Sequence, residues 1–478
     1  MNSYINRVPS GINGLDEVIG GGFQQGSLIV VAGNPGTGKT IFSATFLYNG
    51  IVNYDEKGIY VSFAENRETF FSNMRALGFN FEELERAGSF YFLDMVTARE
   101  EAAPAVMETI VREVEATGAK RLVIDSFSAL AQAFRNAHEA RIVLHAVLSK
   151  IIRFLGCTTI LVLEVPWGEE MIGMGVEEFV ADSIIHLKRT KLKDRLMREL
   201  EILKMRGVPI PEPCFVFTLK DGFRVFPQFK VEYTVRPRRF EPQPDTERCF
   251  STGSPDLDKM LGGGYQRGST VLLEIDEHIS SFHCHLLVTP TDHNFLVQGR
   301  GVIGIPSRGV DHNLIVRWFE DGGITRDEIN RLLRICVKEY HGLKPELYIV
   351  TFKGEDILDD YARYIRAEEE LMEKTGQPVL SIVGVDTLVD IYGVKRTVSF
   401  LRDCATRVRE TNGLSIFILK PGYPRLAKIL GALADIHLSV MRKHGSILVC
   451  GIKPRTNFYV LEMDVSRGYV LPKLTPII

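Results

Sequence analysis

The sequence predicts an α/β protein made of two tandem domains, each a mostly parallel sheet flanked by helices. Three observations predict it. The segment SGINGLDEVIGGGFQQGSLIVV at Ser10–Val31 returns as TGSPDLDKMLGGGYQRGSTVLL at Thr252–Leu273, with a constant offset of 242 residues. A repeat of that spacing is too long for a solenoid unit and marks a duplicated domain. Within the first copy, the short apolar runs Leu28–Ala32, Ile59–Phe63, Leu122–Ile124 and Thr159–Leu163 alternate with amphipathic stretches, the pattern of parallel strands joined by covering helices. Between the copies, TVRPRRFEPQPDTERC is rich in proline and charge and reads as an extended linker. The expected organisation is therefore residues 1–233 as first domain, 234–249 as linker and 250–478 as second domain.

Composition is that of a soluble globular protein. The chain has 478 residues, 45% of them hydrophobic, and a formal net charge of -3, so bulk charge gives no sign of a nucleic-acid partner. The seven cysteines are scattered and odd in number, which argues for a reducing compartment rather than a disulfide framework. No apolar run reaches the roughly 18 residues of a membrane span, and the first residues lack the apolar core of a signal peptide. The expectation is a cytoplasmic protein that does not enter a membrane.

The first repeat runs directly into GNPGTGKT, a phosphate-loop pattern with a strand before it and a helix after it. Gly33, Asn34, Pro35, Gly36, Thr37, Gly38, Lys39 and Thr40 are the candidate nucleotide-binding residues. Glycines let successive backbone N–H groups curl around phosphates, and the following helix aims its positive end at the same anion. Lys39 would reach the β- and γ-phosphates of ATP, while the Thr40 hydroxyl would ligate Mg²⁺. Asp125, which ends the apolar run in KRLVIDSF, is the second metal candidate, acting through water. Glu65, just past the run IYVSF, is suited to polarise water as a general base.

The opening repeat, the glycine loop, LVIDS, GVEEFVADSIIHL at Gly175–Leu187 and ELEILKMRG at Glu199–Gly207 together resemble the KaiC family of RecA-like ATPases. The resemblance implies tandem RecA-like phosphate-loop domains and a hexameric ring with ATP at subunit interfaces. It also implies that Glu65 is the first of the family's paired catalytic glutamates, with Asn66 in the second place, and that Lys204 and Arg206 act in trans on a neighbour's γ-phosphate. An intact first copy beside an altered second one also resembles the GvpD family of archaeal gas-vesicle regulators.

In the second copy the loop is erased. The offset of 242 puts Ile275, His278, Ser280, Ser281 and Phe282 where Gly33, Gly36, Gly38, Lys39 and Thr40 stand. A lost charge-assisted contact, lost glycines and the added Asp276 and Glu277 would cost on the order of 5 kcal/mol, moving a micromolar site to millimolar or beyond. The strand VLSIVGVD still offers Asp386, and Lys453 and Arg455 echo Lys204 and Arg206. Autophosphorylation, which circadian family members perform in their second domain, is not expected. A metal site at His278, His283, Cys284, His285 and His293 is the lesser alternative to a polar surface. The expected function is an ATP-binding, slowly hydrolysing regulatory or signalling assembly with an unidentified protein partner. The alternative is a DNA-binding ATPase of RecA or RadA type. Against it, Val162–Ile185 carries Glu164, Glu169, Glu170, Glu177, Glu178 and Asp182 but no Lys or Arg, a poor lining for a phosphate backbone. The basic run KRTKLKDRLMRELEILKMR is its best support, but the acids interleaved in it favour a solvated hairpin or a subunit contact.

Overall fold

A computed structural model describes residues 6–96, 103–128, 151, 154–168 and 180–478. Residues 169–179, which hold four of the six carboxylates weighed against DNA binding, lie outside the described residues. The chain divides into two compact units, one of Met1–Gln228, His444–Ser446 and Pro476–Ile478, the other of Phe229–Lys443 and Ile447–Thr475.

In the first unit the strands beginning at Arg224, Cys214, Arg195, Ser183, Leu28, Thr158, Arg121, Gly58 and Phe90 lie in that order in a nine-stranded sheet. The strands from Ser183 to Phe90 pair in parallel. Those from Ser183 to Arg224 pair antiparallel, so the sheet is mixed rather than mostly parallel throughout. The reason is in the connections: Ser183–Leu192 and Arg195–Met205 are joined by two residues, Lys193 and Asp194, both with positive φ, and such a tight turn can only return the chain antiparallel. The apolar runs of the sequence become the strands Leu28–Gly33, Gly58–Ser62, Arg121–Asp125 and Thr158–Glu164.

Both faces of the sheet are covered. On one, Phe42 and Phe46 of the helix Lys39–Tyr54 pack with Phe70, Phe81 and Phe90. On the other, Met107, Ile110 and Val114 of the helix Ala103–Thr117 pack on Leu122 and Ile124. A buried central strand such as Leu28–Gly33, with every residue buried, reads as a continuous apolar run because both of its faces meet helices.

The second unit repeats this order. Its strands beginning at Leu333, Val302, Leu380, Leu414, Ser269, Ile436, Ser446, Tyr459 and Leu471 correspond one for one to those of the first sheet, and one further strand, Ile349–Phe352, extends the edge. The proline-rich stretch between Phe226 and Cys249 has neither helix nor strand, yet it is fastened to the second unit. Phe240 is buried against Tyr469 and Leu471, and Asp245 pairs with Arg267 at 3.0 Å and Arg300 at 2.5 Å. Among the described residues no helix is long and apolar enough to cross a membrane, and all seven cysteines are free thiols.

Candidate nucleotide site

The strand Leu28–Gly33 ends at the middle of the sheet and the helix Lys39–Tyr54 begins six residues later. Gly33 is required by close packing: a Cβ there would lie 2.5 Å from the Leu187 carbonyl oxygen and 2.7 Å from Thr37 Oγ1. Gly38, with φ of 106°, takes a backbone conformation that costs a side-chain-bearing residue strain. The loop holds itself open. Thr37 donates its N–H and its hydroxyl to the Asn34 carbonyl at 3.3 and 2.8 Å, and the Asn34 amide donates to the Val165 carbonyl at 2.8 Å. Arg198 donates from behind to the carbonyls of Gly36 and Thr37, each at 3.3 Å. While the carbonyls of Gly33, Asn34, Gly36 and Thr37 accept hydrogen bonds, the N–H groups of Gly36, Gly38, Lys39 and Thr40 have no partner among the described residues. Such a run of free N–H groups at a helix start suits an anion.

The Lys39 ammonium is folded over the loop, donating to the carbonyls of Gly33 at 2.9 Å and Asn34 at 3.1 Å. Burial pulls its pKa below the ordinary lysine value, while the charges of Glu164 and Asp125 oppose that shift. Thr40 donates its hydroxyl to Asp125 Oδ2 at 2.8 Å, and Tyr60 donates to the same oxygen at 2.5 Å. Burial raises the Asp125 pKa, with the Tyr60 and Thr40 hydrogen bonds and the Lys39 charge pulling the other way. The residues fit a hydrated divalent cation: a hydroxyl and a carboxylate already in contact can share an octahedral ion that keeps several waters.

Glu65 is half-buried after the neighbouring strand, its carboxylate accepting from Asn73 at 3.4 Å. Burial raises its pKa, the Asn73 hydrogen bond lowers it, and the Asp125 charge adds to the rise. Asn66 serves a different purpose. It is the N-cap of the helix Arg67–Ala76, its side chain accepting from the Thr69 N–H at 2.9 Å. Asn66→Ala should therefore lower stability by about 1 kcal/mol while leaving ATP affinity unchanged. Urea denaturation and calorimetry measure the two effects separately.

Lys204 and Arg206 lie elsewhere. Gly33 is opposite Leu187, and Leu187 is opposite Leu200; Lys204, four residues further along the strand Arg195–Met205, sits roughly 13 Å toward the opposite end of the sheet at a strand's usual rise. The Arg206 guanidinium bonds Asp182 at 2.9 Å, and that carboxylate in turn accepts from the Leu28 N–H. Neither reaches the loop of its own chain. Sequence reading missed Tyr60, Glu164 and Arg198. Tyr60 and Arg198 sit inside strands, where their residue types look like ordinary core and surface. Glu164 was visible, since it ends a strand opposite Gly33, but only strand order reveals the adjacency.

Strand, glycine loop and helix on a mixed sheet define the phosphate-loop class of α/β proteins. Within that class, residues 8–228 match the family model of the KaiC ATPases. A second model, GvpD basic region 2, matches residues 239–317. The circadian clock oscillator protein KaiC of Thermostichus vulcanus is 32% identical over 279 residues, covering 57% of this chain and 52% of that protein. For KaiC of Synechococcus elongatus the values are 32% over 270 residues, 55% and 50%. The chain thus spans about half the length of the curated relatives it matches. A KaiC-like protein from the hyperthermophilic archaeon Pyrococcus horikoshii is 35% identical, covering 47% of this chain and all of that one, with a TM-score of 0.43.

Proposed function

We propose that the first unit binds ATP with Mg²⁺ and hydrolyses it slowly, and that the protein works as an ATP-responsive regulatory or signalling assembly with the second unit as scaffold or partner platform. One observation carries this reading: unpartnered N–H groups, the Lys39 ammonium and the Thr40–Asp125 pair all converge on one loop. Those N–H groups bind the phosphates, and Lys39 exchanges two carbonyl acceptors for phosphate oxygens. A divalent cation held by Thr40, and by Asp125 through water, would neutralise charge between the β- and γ-phosphates. Glu65 accepts the proton of the attacking water. With Asn66 committed to its helix, no second carboxylate from that position assists, which supports slow turnover.

The distance of Lys204 and Arg206 from their own loop supports action across a subunit interface, with ATP favouring a ring because its γ-phosphate bridges two chains. Mixing Lys39→Ala chains with Arg206→Ala chains tests this. Some interfaces would then combine an intact loop with an intact Arg206, and partial hydrolysis should return, whereas each variant alone stays inactive. A chain that sediments as a monomer with ATP, or mixed rings without recovered activity, would remove the trans role.

A further inference from the structure

The second unit has lost every residue of the corner that Thr40, Asp125 and Tyr60 form in the first. Phe282 stands at the Thr40 position. Strand register settles the other two. Leu28 lies opposite Thr159, and Thr159 opposite Leu122; in the second unit Thr270 lies opposite Ser415, and Ser415 opposite Ser381. Asp125 therefore corresponds to Gly384, not to Asp386, which lies two residues on in the first turn of the helix Val385–Tyr392. The same reasoning places Gly304 at Tyr60, since Ile59 pairs with Leu122 and Ile303 with Ser381. Glu164, opposite Gly33, corresponds to Lys420, one residue past the Glu274–Leu419 pair.

That last exchange reverses a charge at the heart of the old site. The Lys420 ammonium donates to Ser281 Oγ at 3.0 Å, the very residue that replaces the loop lysine, and also to the Arg308 carbonyl. It lies 4.0 Å from Asp386 Oδ2. Asp386 is fully buried, and the same oxygen accepts from Arg308 N at 3.0 Å and Arg308 Nε at 3.3 Å. The other oxygen, Oδ1, has no partner among the described residues. The loop is closed as well: Asp276 takes the N–H of His278 at 3.2 Å through its carboxylate and that of Ile279 at 3.1 Å through its carbonyl, while His283 Nδ1 takes the N–H of Ser280 at 3.2 Å. The histidines of this stretch serve such local contacts, His285 packing on Trp318 and His293 bonding Asp292, and the described residues contain no metal-holding group of three.

We propose that the second unit's former nucleotide site is filled from within, Lys420 returning the lost lysine charge from the opposite strand and holding it, with Arg308, on the buried Asp386. The unit is then complete without a ligand and does not respond to ATP. Both cations face one buried carboxylate, Arg308 pairing also with Asp390 at 3.3 Å, and two of the loop N–H groups that would hold phosphates, those of His278 and Ser280, are bonded to the loop's own side chains. This holds whether or not the first unit turns over ATP.

Hydrogen exchange on the full chain tests it, because peptides from the two units are read separately. In Lys420→Met, amides of Leu380–Gly384 and Val385–Tyr392 should exchange on the order of a hundredfold faster, since a buried carboxylate loses one of its two cations. The double variant Lys420→Met with Asp386→Asn should recover most of that protection, because the buried charge is gone and the half-exposed Arg308 is hydrated. In the wild type, Mg²⁺ with ATP or with inorganic triphosphate should leave amides 276–285 and 384–390 unchanged. Ligand-induced protection there that Lys420→Met abolishes would make Lys420 a phosphate ligand and overturn the proposal, as would a Lys420→Met chain with unaltered exchange. Loss of ATP protection in amides 33–42 alone would count against the first unit's reading and leave this one standing.

Discussion

Lys39→Ala should reduce ATP affinity by roughly a hundredfold or more, the largest binding effect expected of any single change. The side chain is almost fully buried and already makes two hydrogen bonds to loop carbonyls. A bound triphosphate would offer it charged acceptors in place of neutral ones, and such charge-assisted bonds contribute about 1.5 to 3 kcal/mol. Alanine also leaves Glu164 and Asp125, whose charges act on Lys39, facing a polyanion with their nearest cation removed, so repulsion adds to the lost attraction. Calorimetry with Mg²⁺ and ATP measures the effect, and thermal unfolding without nucleotide checks that the variant is folded. Ser281→Ala, at the corresponding position of the second copy, should bind as wild type does with one site per chain. Two comparable sites in the wild type, or Lys39→Ala binding within threefold of it, would contradict the assignment of binding to the first loop alone.

The features legible in the sequence were those carried by backbone constraints. A loop that must bring N–H groups onto a phosphate needs glycines at fixed spacing, so Gly33 to Thr40 announces itself, and a duplicated domain announces itself by offset. The strands followed from burial on both faces. What stayed hidden depends on which strands are neighbours. Glu164 and Lys420 are ordinary strand-end residues until pairing sets one opposite Gly33 and the other beside Ser281. Asp386 looked like the counterpart of Asp125 because both follow an apolar run, but two residues separate them in register, enough to move a carboxylate from a strand end into a helix turn. The mixed character of the sheets was missed for a related reason. The hairpin Ser183–Met205 carries charges along both strands, which read as a solvated hairpin or a subunit contact, and only its pairing with Leu28–Gly33 makes it an extension of the sheet.

Glu65→Gln should retain ATP binding and lose turnover by 10² to 10⁴, about the range contributed by a positioned general base. Glutamine keeps the shape and can still contact Asn73, but it cannot take a proton. The pH dependence adds a second test with a definite sign. Only the ionised carboxylate acts as base, so kcat falls as pH drops through the Glu65 pKa. Burial and then Asp125 raise that pKa against the lowering hydrogen bond from Asn73. The acid limb of the wild-type profile should therefore lie above the ordinary carboxylate range, and the phosphates of bound ATP would push it further in the same direction. Asn73 donates to Glu65 Oε2 at 3.4 Å and stabilises the charged form, so Asn73→Leu should move the limb to still higher pH while leaving kcat on the alkaline plateau within a few-fold. A purely structural role for Asn73 would lower the plateau instead. Hydrolysis by Glu65→Gln at the wild-type rate would assign the base to another group, with Glu164, beside Lys39 and Asp125, the first to examine.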